Sequence, residues 1–183
     1  AVNMFVTRNL PMSEAKKIPA AMQAVKAEID RLLKNKVPLY KKEEVQEAHL
    51  VKQRAKAKGE EAHFTFLFAL CGEKNYEMPK EERTYKGRVV VGGHDIRDET
   101  GKKALFENFA NPPASMAAAR CVIAVGMQNG YSIRQGDAKQ AYIQVDEDPN
   151  APTLWARIPK EYQPEEWAKY KDPVVPIRAN LYG

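Results

Sequence analysis

A change of hydrophobic period along the chain limits its possible folds more than any other feature. His63-Phe64-Thr65-Phe66-Leu67-Phe68-Ala69-Leu70 alternates aromatic and smaller residues, the period of two expected of a half-buried strand. A polar turn region follows over residues 71–84. Tyr85 to Val91 then forms a second strand-like run, closed by Gly92-Gly93, so the two runs predict an antiparallel hairpin. At Ser115, a good N-cap, the period becomes helical. The helix runs through Met116-Ala117-Ala118-Ala119-Arg120-Cys121-Val122-Ile123-Ala124-Val125 and ends at Asn129-Gly130. It is apolar on several sides, which predicts burial, with Arg120 as an exception that needs a carboxylate partner. Strand-like spacing returns at Tyr131 and puts Asp137 at the end of a strand outside the hairpin. Thr153 to Ile158 reads as another strand, Pro164 to Tyr170 as a short helix anchored by Trp167, and Val174 to Arg178 as a final strand. The class is α+β.

Ahead of the strands lies a helical leader, residues 1–62. Met22, Val25, Ile29, Leu32 and Leu33 recur at spacings of three and four, with Pro19 suited to the first turn and Pro38 as the stop, so an amphipathic helix is expected over residues 20–35. Residues 41–62 are highly charged with few apolar anchors and leave open a partly exposed helix or a mobile connection. The leader carries the chain's whole excess of positive charge, 13 Lys/Arg against 8 Asp/Glu, whereas residues 63–183 hold 16 of each. Lys52, Arg54, Lys56 and Lys58 form its densest cluster. Such a cluster suits nucleic-acid phosphates through counterion release; the plain alternative is a solvated helix face.

Several classes are disfavoured. No apolar run approaches the ~20 residues of a membrane helix. The N-terminus is too short and interrupted for a signal peptide, and the absent initiator Met suggests a processed or excised chain. Cys71 and Cys121 are too few for a disulfide framework, and His49, His63 and His94 are too far apart for a zinc motif. A reducing compartment is the expectation. Within the second strand, Lys86 and Arg88 are two apart and project from one face. That face could meet a triphosphate, Arg through paired hydrogen bonds and Lys as a point charge, or it could be an exposed strand face guarded against edge pairing.

Five motifs follow one another in order: Tyr85-Lys86-Gly87-Arg88-Val89-Val90-Val91-Gly92-Gly93; Asn111-Pro112-Pro113-Ala114-Ser115 leading to Arg120; Gln135-Gly136-Asp137-Ala138-Lys139-Gln140-Ala141-Tyr142; Trp155-Ala156-Arg157-Ile158-Pro159; and Ala179-Asn180-Leu181-Tyr182-Gly183. In order and spacing they resemble the reverse transcriptase of copia-type long-terminal-repeat retrotransposons. That family has a Lys-x-Arg-Leu-Val-x-x-Gly strand, a Gln-x-Asp-x-x-x-Ala-Phe metal motif, a Tyr-Met-x-x-Pro strand and an Ala-Leu-Tyr-Gly turn. The resemblance runs from about residue 20 to the last residue. It implies that residues 63–183 are the fingers and an incomplete palm of a right-hand polymerase.

The resemblance further implies that Asp137 is a catalytic ligand of Mg²⁺, a hard cation that takes oxygen donors. Gln140 and Ala141 would turn backbone N–H groups to the phosphates, Tyr142 would lie under the sugar and exclude a 2′-hydroxyl, and Lys86 and Arg88 would hold the triphosphate. The substrates would be an RNA template and a DNA primer. The chain departs from the family with Tyr for Phe at 142, Gly136 before the aspartate, and Asn180 where Lys is usual; Gly136 loosens the strand that positions Asp137. No Tyr-x-Asp-Asp is present, so this polypeptide alone is expected to be inactive. The alternative is a domesticated remnant that serves as a non-catalytic structural or interaction subunit, with a partner protein covering the incomplete palm.

Overall fold

The computed structural model describes residues 6–104, 114–134, 136 and 151–181. The chain divides into two compact units, residues 1–104 with 142–183, and residues 105–141. It is a mixed α+β protein. The first unit holds β1 (Thr7–Leu10), α1 (Met12–Ala15), α2 (Pro19–Leu33), β2 (Gln46–Glu47), α3 (Ala48–Lys58), β3 (Ala62–Lys74), β4 (Thr84–Val91), β5 (Thr153–Arg157) and β6 (Pro173–Pro176). The second holds α4 (Met116–Gly126).

Six strands form one sheet built around β3. One edge of β3 pairs antiparallel with β4, from Leu67 opposite Val91 to Lys74 opposite Thr84. The other is shared: β1 pairs antiparallel with residues 71–74, and β5 pairs parallel with residues 62–66. β6 lies antiparallel to β5, and β2 to β6. The hairpin expected from the two alternating runs is present, but β3 continues to Lys74, four residues into the region expected to turn. Glu73 explains the extension. It is 7% exposed, and its carboxylate lies 3.6 Å from the Arg8 guanidinium and 3.4 Å from that of Arg83. A carboxylate can be buried here because two cations share it. The Tyr76 ring sits against both guanidiniums, at 5.3 and 4.5 Å. Beside it Asn75 takes the left-handed conformation, at φ 57°, which a short amide side chain tolerates.

Residues of odd number on β3 face α2. Leu67, Ala69 and Cys71 join Val89 and Val91 of β4 beneath the buried Ala21, Val25 and Leu32 of the helix. Pro19 opens α2 at its first turn, as the spacing of its apolar residues predicts. At Gly87 helix and sheet touch without an intervening side chain. A Cβ there would stand 2.5 Å from Val25 Cα and 2.7 Å from the Ala24 carbonyl oxygen. The same face continues over β5 and β6, where Ala156, Val175, Ile177 and Trp167 complete the core with Leu39 and Tyr40. Burial pushes the Tyr40 hydroxyl up to about 12.

The charged stretch before the sheet resolves into α3. Ala48, Val51 and Ala55 cover Ala62, Phe64 and Trp155 on the opposite face of the sheet, and Gly59, at φ 67°, ends the helix in the left-handed conformation. Its polarity hid it, because three small or branched residues at spacings of three and four suffice to seat it.

The second unit departs from expectation in two respects, the first being that Tyr131 to Arg134, where strand spacing is expected to return, form no strand. α4 begins where Ser115 caps it, the Ser115 hydroxyl accepting from the Ala118 N–H at 3.1 Å. None of its residues is buried, however; Met116 and Val122 are each 69% exposed. Arg120 has no carboxylate partner among the described residues. An apolar helix needs a cover to be stable, and the described residues of its own unit do not supply it.

Carboxylates fasten the C-terminal strands to the leader and to one another. Glu44 forms paired hydrogen bonds with Arg178, and Asp172 pairs twice with Arg157 at 2.7 Å. Glu47 accepts the backbone N–H groups of Lys171 and Asp172 at 2.7 and 3.0 Å. These bonds favour the ionised form, and all three carboxyls are held below their ordinary values. A carboxyl depressed in the folded state contributes stability above its unfolded value, and this is lost as pH falls through the folded one. We therefore expect the melting temperature to drop as pH is lowered from the ordinary Glu value of 4.5 and Asp value of 3.8. The triple variant Glu44→Gln, Glu47→Gln, Asp172→Asn should be less stable at neutral pH and have a flatter acid profile. An acid profile as steep as that of the unsubstituted chain would place the effect elsewhere.

Candidate nucleic-acid interface

Residues of even number on β3 point away from α2. α3 covers this face only as far as Phe64. Beyond it lie Phe66, Phe68, Leu70, Gly72 and Lys74, in register with Val90, Arg88, Lys86 and Thr84 of β4 from Phe68 onward. Asn9 and Thr7 of β1 stand beside Gly72 and Lys74. Leu70 is 46% exposed, and Lys74, Lys86 and Arg88 are exposed. The rings of Phe66 and Phe68 lie 5.7 Å apart. Phe66 also packs edge-on to His94 and over Gly92, where a Cβ would meet the ring at 2.8 Å.

This face therefore joins half-buried aromatic rings and aliphatic side chains to three cations. No acidic residue occupies its paired positions on β1, β3 or β4; the nearby carboxylate, Glu73, belongs to the other face. Among the described residues neither Lys86 nor Arg88 has an ion pair or a side-chain hydrogen bond. Among the described residues nothing covers their shared face, expected from their spacing, and its positive charge is free for a ligand.

The leader's basic residues are more engaged. Lys52 Nζ lies 5.1 Å from the Phe64 ring centre, a cation–π contact that places this charge where the open face begins. Arg54 donates to the Gln46 side-chain oxygen at 2.8 Å, and Lys58 lies 3.6 Å from Glu60. Lys56 is exposed. A surface pair such as Lys58–Glu60 is weak and does not remove the lysine from a stronger phosphate partner.

Asp137, Gln140, Ala141 and Tyr142 lie outside the described residues. Among the described residues no three His, Cys, Asp or Glu side chains stand close enough together to hold a metal ion. A small, partly open apolar pocket of about 20 Å³ lies under α2, lined by Ile29, Leu32, Tyr40, Leu67, Val89 and Tyr162. Its room is that of about one water, too little for a substrate. No described helix is long and apolar enough to cross a membrane.

Phe66, Phe68, Leu70 and Lys74 were not singled out from the sequence. Alternation alone would have grouped them. What alternation could not tell is which face of β3 stays open, because that depends on where α3 stops.

No family model matches the chain, and no curated protein or solved structure is significantly similar to it.

Proposed function

We propose that the chain is the fingers and part of the palm of an RNA-directed DNA polymerase related to copia-type reverse transcriptases. The motifs quoted above carry the family assignment. The observation that best supports a nucleic-acid role is the open face of β3 and β4, with its exposed cations and partly exposed rings. Phosphates suit Lys74, Lys86 and Arg88, and unpaired bases suit the rings, since base–aromatic stacking is worth roughly 1–3 kcal/mol per base. In this reading Lys86 and Arg88 take hybrid phosphates when no nucleotide is bound and the incoming triphosphate when one is, and α3 adds phosphate contacts through Lys52 and Lys56. Asp137 would hold Mg²⁺, which supplies Lewis-acid stabilisation of the transferring phosphate. Gln140 and Ala141 would face the phosphates, and Tyr142 would select the sugar.

Binding of an RNA–DNA hybrid by the 183-residue chain should be weak and strongly salt-dependent. Lys86→Gln with Arg88→Gln should lower the slope of log K against log salt by about two, roughly one per lost phosphate contact. Labelled hybrid titrated at two salt concentrations measures this. The four-fold variant Lys52→Gln, Arg54→Gln, Lys56→Gln, Lys58→Gln should have a smaller effect per charge. A slope unchanged by the β4 pair but reduced by the leader variant would move the interface to α3.

The exposed apolar surface of α4 favours a second reading, a non-catalytic subunit whose partner covers that helix. The parent reading frame separates the two: a Tyr-x-Asp-Asp within a few dozen codons of Gly183 supports the polymerase, and a stop codon at that point supports the remnant.

A further inference from the structure

We draw no further inference here: the strongest candidate, the open aromatic and basic face of β3 and β4 continued by Lys52 on α3, belongs to the site already described.

Discussion

Replacing Gly87 with alanine is expected to destabilise the protein by about 3 kcal/mol, at the upper end of the usual cost of overpacking. The added Cβ would stand 2.5 Å from Val25 Cα, 2.8 Å from the Val25 nitrogen and 2.7 Å from the Ala24 carbonyl oxygen. All three are backbone atoms, so no side-chain rotation relieves the clash. The helix must lift, and lifting it opens gaps around Ala21 and Val25, both wholly buried, with loss of their dispersion contacts. Alanine's advantage over glycine in a strand, roughly 0.5–1 kcal/mol, offsets only a part. Gly72→Ala is the matched control, since its Cβ would crowd only the Thr7 methyl, at 3.0 Å, and meet the Arg8 and Lys86 carbonyl oxygens at ordinary contact, 3.9 and 4.0 Å. Urea midpoints should rank Gly87→Ala well below Gly72→Ala; equal midpoints would mean that α2 rides freely on the sheet. Lys86 and Arg88 flank Gly87 and point to the other side, so the same contact braces the strand that carries the open face.

That contact also marks how far the sequence could be read. Alternation located β3 and β4 because strand period and one-sided burial are local properties, and helical spacing located α2 for the same reason. Ser115 was legible as a cap because its partner, the Ala118 N–H, is three residues away. The parallel pairing of β3 with β5 was not legible, since Phe64 and Trp155 are joined by no local signal. Nor was the length of β3, which depends on Arg8 and Arg83 meeting Glu73 from two other segments. α3 was obscured because its charge outweighs its three buried residues. For the candidate site, spacing placed Lys86 and Arg88 together, whereas the surface they share with Phe66 and Phe68 emerges only from packing. The helical pattern of α4 was legible, but burial was inferred from composition, and composition does not supply a partner.

The 183-residue chain is expected to extend no primer, whereas a longer protein from the same reading frame that includes a Tyr-x-Asp-Asp should do so and fall to background on Asp137→Asn. In-line phosphoryl transfer uses two metal ions roughly 3.5–4 Å apart to stabilise the attacking and leaving oxygens. Each Mg²⁺ takes six oxygen ligands in near-octahedral geometry. Asp137 is the sole carboxylate that the motif assigns to this task, and it leaves most of those positions to water. Asparagine keeps the size of the side chain and removes its charge, so a loss on Asp137→Asn reports ligation more than packing. The melting temperature of the variant should accordingly match that of the parent, and its binding of RNA–DNA hybrid should be unchanged, because that binding is assigned to Lys74, Lys86, Arg88 and α3. Primer extension by the 183-residue chain alone, or a longer protein indifferent to Asp137→Asn, would remove Asp137 from the metal site. Loss of hybrid binding together with activity would instead point to a folding defect.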